Sequence, residues 1–97
     1  MNYPHTGEVK RLQQNGLQES FVVVGTISCF LQPLGDREVS ELQDTYSQPH
    51  KCLVDINADV RESDTIDILN QGFRVRGIRR YEFGGNPHKR LLLERLG

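Results

Sequence analysis

The last third of the chain, residues 60–97, constrains the fold more than any other part. Three segments with β-strand composition follow one another here, at residues 65–69, 73–81 and 89–95. Asn70-Gln71-Gly72 separates the first two, and a Gly-Gly-Asn-Pro sequence separates the last two. Connections this short join antiparallel neighbours. The pattern predicts a compact meander, which is typical of a small β-barrel.

The first half of the chain predicts three further strands. Residues 8–12 can form one, and Asn15-Gly16 is the dipeptide that two-residue hairpin turns favour. Residues 20–32 are rich in Val, Ile and Phe and give the strongest strand pattern in the chain. Because this segment is long, we expect a bend at Gly25. Residues 50–56 follow as another strand.

A short helix is predicted over residues 36–46, between the second and third strands. Asp36 can cap it by accepting hydrogen bonds from the first-turn amides, and Pro49 lies beyond its end. Three apolar side chains share one face at helical spacing: Val39, Leu42 and Tyr46.

The predicted fold is therefore mainly β: a small six-stranded antiparallel β-barrel with one short helix inserted between strands 2 and 3. Residues 1–7 are expected to be a flexible N-terminal arm, and residues 8–97 a single domain. The core is predicted from the alternation along the strands. Its members are Val22, Val24, Ile27, Cys29, Leu31, Val54, Ile56, Ile66, Phe73, Val75, Leu91 and Leu93.

The chain of 97 residues has 36% hydrophobic content, enough for one modest core. It has no apolar run of the length that a membrane helix requires, and its first residues do not resemble a secretion signal. We therefore expect no membrane partner and a cytoplasmic site of synthesis.

Few residues suggest catalysis or metal binding. Cys29 and Cys52 lie in apolar strands and are expected to be buried, reduced thiols, and the three histidines lie far apart in sequence. Two pairs of acids are close in sequence without any supporting motif: Asp55 with Asp59, and Asp64 with Asp67. We expect no enzymatic activity, no catalytic residue, no metal and no cofactor.

The charged residues are distributed unevenly along the chain. Residues 1–60 carry four basic and eight acidic side chains, whereas residues 61–97 carry eight basic and five acidic ones. Four arginines of the fifth strand are the candidate partner-binding residues: Arg74, Arg76, Arg79 and Arg80. This split suits subunits that pack against one another in a ring, or a basic strand that binds nucleic acid. The simplest alternative is that these arginines form the solvated face of a half-buried strand, with Gly77 permitting a bulge.

The order of strands and turns resembles a known family. The segments that carry the likeness are Val9-Lys10-Arg11 and residues 23–33, 56–66, 72–78 and 90–95. They include a polar-Asp-x-Ile turn into a strand, a Gly-aromatic-x-Val strand and a final strand that ends in Leu-Glu. This pattern is similar to the small head–tail joining proteins (head-closure or stopper proteins) of tailed bacteriophages and prophages.

The resemblance implies a structural function. Copies of the chain would form part of a ring at the portal–tail connector, close the DNA-filled head and provide a platform for the tail. The implied partners are portal or adaptor ring proteins and tail-completion proteins, with DNA passing through without specific binding. The implied location is the virion head–tail connector, after synthesis in the bacterial host cytoplasm. The stopper segment would correspond to residues 33–49, with four channel-facing acids: Asp36, Glu38, Glu41 and Asp44.

An alternative function remains open on the residues alone. Arginines interleaved with Phe73, Tyr81 and Phe83 could track a phosphate backbone while bases stack, as in an OB-like module that binds single-stranded nucleic acid through the Arg74–Tyr81 strand. Dedicated nucleic-acid binders are usually basic overall, whereas the pI of this chain is about 6.3.

Overall fold

The structure, a computed structural model, describes residues 3–34, 48–82 and 84–96. Six strands make up most of these residues: β1 (His5–Asn15), β2 (Gln18–Pro33), β3 (Pro49–Asp55), β4 (Thr65–Ile68), β5 (Gln71–Tyr81) and β6 (His88–Arg95). The Cα radius of gyration is 13.7 Å, close to the value of about 13 Å expected for a compact domain of this length. The predicted helix over residues 36–46 lies outside the described residues. Within the described part of the chain, no helix has the length and apolar composition needed to cross a membrane.

All six strands pair antiparallel in a single sheet, in the order β1-β2-β3-β6-β5-β4. The sheet closes on itself, because β4 pairs in turn with β1. The mainly-β class and the six antiparallel strands are therefore confirmed.

Both tight turns begin one residue away from their predicted positions, and the β4–β5 loop has two residues instead of the predicted three. Asn15 pairs with Gln18, so the first loop consists of Gly16 and Leu17, with Gly16 at a φ of 64°. Glycine at the first central position is typical of a type II′ turn. In the β4–β5 loop, Leu69 and Asn70 both have positive φ angles. This loop is displaced because burial of Ile66 opposite Phe73 sets the register of the two strands.

The core lies inside the closed sheet and contains most of the predicted residues. Seven of them are buried: Cys29, Val54, Ile66, Phe73, Val75, Leu91 and Leu93. Val24, Ile27 and Leu31 pack against them while remaining partly exposed. Val22 was placed in the core wrongly, since it is exposed, and Ile56 is only half-buried. Four further residues complete the core: Val9, Cys52, Val60 and Ile68.

A bulge in β5 changes which side chains face the core. Val75 pairs with Leu93 and Gly77 with Leu92, so Arg76 is an extra residue without an opposite partner in the register. Ile78 consequently lies opposite the buried Leu91 and packs on the core. Simple alternation along the strand would place Ile78 on the same face as Arg74, Arg76 and Arg80, but the bulge at Gly77 shifts the following residues by one position and turns Ile78 toward the core.

Strand β1 begins at His5, so residues 5–7 belong to the sheet rather than to the expected arm over residues 1–7. Gly7 pairs with Ile27 on one side and Ile68 on the other. A Cβ atom at this position would lie only 2.7 Å from Cγ2 of Ile66. The missing side chain therefore allows β1 to pack closely over the core.

Strands β1 and β2 run beyond the closed part of the sheet. β4 pairs with β1 only over residues 7–10, and β3 pairs with β2 only over residues 29–33. The ladder also shifts between Val9 and Lys10, which lie opposite Gly25 and Val23, close to the predicted bend. We call residues 11–24 the hairpin extension, and the rest of the sheet the closed part.

Candidate interaction surfaces

The four candidate arginines of β5 do not form one surface. Arg74 lies over the ring of Phe21, with its guanidinium carbon 5.8 Å from the ring centre. Its Nε atom is buried and has no hydrogen-bond partner among the described residues. Arg76 donates to Glu94 across the strand pair, with 2.8 Å between Nε and Oε1. Arg80 is paired at 2.8 Å with Glu82, so only Arg79 remains to contribute to a wider basic patch.

Arg79 contributes to a groove on the outer face of β3, β6 and β5. In the register of these strands, Arg90 lies opposite Arg79, and Lys51 lies opposite Leu92. The groove has a volume of about 330 Å³ and is open to solvent. Its lining combines these three cationic side chains with apolar surface: Leu34, Lys51, Gly77, Ile78, Arg79, Arg90, Leu91 and Leu92. We call it the basic groove.

Two aromatic rings extend the basic groove toward the end of β5. Tyr81 and His88 are stacked, with ring centres 4.9 Å apart and an interplanar angle of 16°. The pKa of Tyr81 lies below its ordinary value, mainly because its phenol oxygen interacts with the guanidinium of Arg79 and, to a smaller extent, with that of Arg90. Such a combination of cations and flat rings suits a carboxylate or a phosphate beside a planar group.

A buried ion pair anchors the base of the hairpin extension. Arg11 donates to both carboxylate oxygens of Asp64, at 3.0 Å from Nε and 2.9 Å from Nη2. The side chain of Asp64 is only 3% exposed and also accepts the backbone N–H of Arg61 at 2.9 Å. Arg11 reaches Asp59 as well, which lowers the pKa of that carboxyl group. These contacts join β1 to the loop that precedes β4.

The acid pairs noted in the sequence do not converge on a common site. Asp64 contacts Arg11, and Asp67 contacts Lys10 at 2.8 Å. Asp55 accepts the backbone N–H of Asn57 at 2.9 Å. Each carboxylate thus has a local structural partner, and Asp59 also contacts Arg11.

The two thiols face the core from neighbouring strands. Cys29 lies opposite Val54 and Cys52 opposite Leu31, so the cysteines occupy diagonal positions, and both are fully buried, as predicted. Interaction with Cys29 and burial together raise the pKa of the Cys52 thiol. A protonated and inaccessible thiol is unreactive.

The histidines are dispersed in the structure, as they are in the sequence. Nδ1 of His5 accepts the backbone N–H of Leu31 at 3.1 Å, and His50 packs edge-on against Phe73 with ring centres 5.3 Å apart. Across the described ranges, no group of three or more His, Cys, Asp or Glu side chains is arranged to hold a metal ion.

The hairpin extension is a second candidate surface, which sequence reasoning missed. Five large apolar side chains are exposed on it: Leu12, Leu17, Phe21, Val22 and Val23. Leu17 at the tip is 102% exposed, and Val23 is 52% exposed. In the register of the hairpin, Leu12, Phe21 and Val23 share one face, whereas Val22 lies on the other. Exposed apolar residues that share a face mark interaction sites more often than scattered ones do. The length of residues 20–32 relative to the short neighbouring strands was the available clue.

The candidate channel-facing acids lie outside the described residues: Asp36, Glu38, Glu41 and Asp44. No protein-family profile matches this chain, and no curated protein matches it.

Proposed function

We propose that this chain is a structural head–tail joining protein of a tailed bacteriophage or prophage. Its closed sheet would be a small β-barrel with a helix over residues 36–46 inserted between β2 and β3. Copies would form part of a ring at the portal–tail connector, close the DNA-filled head and present a platform for the tail. Asp36, Glu38, Glu41 and Asp44 would face the channel and repel DNA phosphates as the genome passes.

The observation that carries an assembly function is the hairpin extension. It stands outside the closed part and leaves Leu12, Leu17 and Val23 largely exposed, while the ring of Phe21 remains 43% exposed beneath the guanidinium of Arg74. A single small domain gains no folding stability from apolar groups left in water. Such a surface gains stability when a neighbouring protein covers it, which suits a component of a larger assembly.

The basic groove supports a second, electrostatic contact in the same assembly. Lys51, Arg79 and Arg90 lie together around apolar surface, so an acidic flank of a neighbouring protein would fit there. Contacts of this kind are screened by salt, and docking through them should weaken as ionic strength rises.

Docking on a purified portal–adaptor assembly tests the proposal. Arg79→Glu reverses a charge inside the groove and should weaken docking. Arg80→Glu is the matched control, because Arg80 is an adjacent exposed arginine that is paired with Glu82 and does not line the groove. Loss of docking for Arg79→Glu, with the Arg80→Glu variant close to wild type, supports the proposal. Absence of docking by the wild-type chain contradicts it.

A single-stranded nucleic-acid-binding function is the second candidate, favoured by one specific observation. The stacked pair of Tyr81 and His88 lies beside Arg79 and Arg90, which places flat rings next to cations. A nucleic-acid strand lying along β5 and β6 would meet both. Wild-type binding to single-stranded DNA at about 150 mM salt, falling steeply as salt rises, would favour this function over head–tail joining.

A further inference from the structure

The free edge of β2 is the longest unprotected strand edge in the described part of the molecule. Along residues 18–28, β2 pairs with β1 on one side, and no described residue pairs with it on the other. At about 3.3 Å per residue, this edge presents roughly 35 Å of unpaired backbone N–H and C=O groups. Exposed edges of this kind bind further strands readily.

The side chains along this edge do not oppose pairing. Glu19 is the only charged residue between positions 18 and 28, and there is no proline. The bulge beside Val24 is the one protective feature, and it leaves residues 18–23 in regular register with β1. Phe21, Val22 and Val23 are exposed here, and these residue types favour strand pairing.

Strand β5 also has an edge without a neighbouring strand, but this edge carries charged side chains. Its ladder with β4 ends at Arg74, but the strand continues to Tyr81. That continuation carries the exposed Arg79 and Arg80, whose like charges would oppose one another if two copies paired there. Self-pairing is therefore disfavoured along β5 and allowed along β2.

We propose that the free protein forms a two-fold dimer in which the β2 edges of two copies pair antiparallel, centred on Val22. This register places Phe21 of each copy opposite Val23 of the other, and aromatic and β-branched residues form favourable cross-strand pairs. It places Glu19 opposite Gly25, so the acids do not meet. The two hairpin extensions become a four-stranded sheet, which covers the exposed edges of both copies.

This dimer does not depend on the head–tail joining function. It concerns the chain before any assembly, and one short edge predicts a weak, reversible association. A docking failure on the portal–adaptor assembly would leave the dimer intact, and absence of the dimer would not affect docking through the basic groove.

Sedimentation equilibrium of the full chain, from about 10 μM to about 1 mM, measures the association. Wild type is expected to pass reversibly from monomer to dimer. Val22→Lys places two ammonium groups opposite each other across the two-fold axis and should weaken the dimer by about tenfold or more. Val22→Glu should do the same with two carboxylates. An equimolar mixture of the two variants should restore association, because each lysine then faces a glutamate.

Leu12→Lys and Leu12→Glu are the matched controls. Leu12 is 49% exposed on the same hairpin extension, but it lies on β1, one strand away from the free edge. These variants should keep the wild-type dissociation constant, and their mixture should behave as each one alone. Amide hydrogen exchange should slow along residues 18–24 as the concentration of wild type rises.

Three results would overturn the inference. A wild-type chain that stays monomeric at every concentration has no such dimer. Variants of Leu12 that dissociate the dimer as strongly as those of Val22 would place the contact on a face of the hairpin extension instead of its edge. A mixture of the two Val22 variants that stays monomeric would exclude the two-fold register. Far-UV circular dichroism of each variant must match wild type for these results to count.

Discussion

The closed part and the hairpin extension contain similar apolar residues, but the closed part buries them and the hairpin extension leaves them exposed. In the closed part, Phe73, Ile66 and Leu91 are fully buried among their neighbours. In the hairpin extension, Phe21, Val22 and Val23 belong to an equally apolar strand yet face solvent. The difference lies in the number of neighbouring strands. Apolar residues form a core where their strand has a neighbouring strand on each side and faces the opposite side of the closed sheet. The same residue types form an exposed surface on a hairpin that extends beyond the other strands.

Truncating one phenylalanine in each region gives the largest test of this comparison. Phe73→Ala removes a fully buried ring and should lower the free energy of unfolding by about 3–5 kcal/mol. Phe21→Ala removes a ring that is 43% exposed and should cost less than about 1 kcal/mol. Urea unfolding of both variants measures the difference. Equal losses would show that the two regions share one core.

The ion pair between Arg11 and Asp64 should hold the two regions together. Asp64→Asn removes the charge of a side chain that is 3% exposed and leaves the guanidinium of Arg11 facing a neutral group. Breaking a buried pair costs about 3–5 kcal/mol, and the partial exposure of Arg11 favours the lower end of that range. Denaturant unfolding gives the value.

Asp59→Asn is the control for this pair, because it removes an exposed carboxylate from the same arginine. Because the pKa of Asp59 is lowered in the folded protein, its contact with Arg11 stabilises the fold above the ordinary Asp pKa. This stabilisation is lost as pH falls through the lower pKa of the folded state. At neutral pH, Asp59→Asn should therefore lower the free energy of unfolding by less than Asp64→Asn does. An equal loss for both variants would argue against Asp64 as the anchor.

The difference between the two regions also explains why the sequence predicted the core residues of the closed part better than those of the hairpin extension. Burial alternates along residues 51–55 of β3 and 90–94 of β6, so Val54, Leu91 and Leu93 were placed correctly in the core. Val22 was misplaced because alternation cannot report that β2 extends past β3. The contact of Arg11 with Asp64 joins residues 53 positions apart and has no local pattern. Candidate sites were harder to predict than strands, since the β5 bulge decides on which face the following arginines, Arg79 and Arg80, lie.

Thiol reactivity should differ between the two regions, and it can be measured with a substitution that has little effect on stability. Cys29 and Cys52 are fully buried and should react with a thiol reagent only as the chain unfolds. Val23→Cys introduces a third thiol on the exposed edge, and this one should react rapidly in the native protein. Counting fast and slow thiols by absorbance gives the answer. A fast phase in the wild-type chain would show that the closed part opens readily.

Tyrosine titration gives the smallest effect and tests the outer face of the closed part. Guanidinium groups favour the phenolate, so Tyr81 should ionise at lower pH than an ordinary tyrosine, whereas burial raises the pKa of Tyr3. Arg79→Gln removes the larger of the two guanidinium effects and should move the Tyr81 titration upward, toward its ordinary value. Arg80→Gln should leave it unchanged, because Arg80 is paired with Glu82. Phenolate absorbance during a pH titration follows all the tyrosines together, and Tyr81→Phe identifies the lowest component. If that component persists at the same pH in the Arg79→Gln variant, Arg79 does not reach the phenol, and the basic groove loses its connection to the stacked rings.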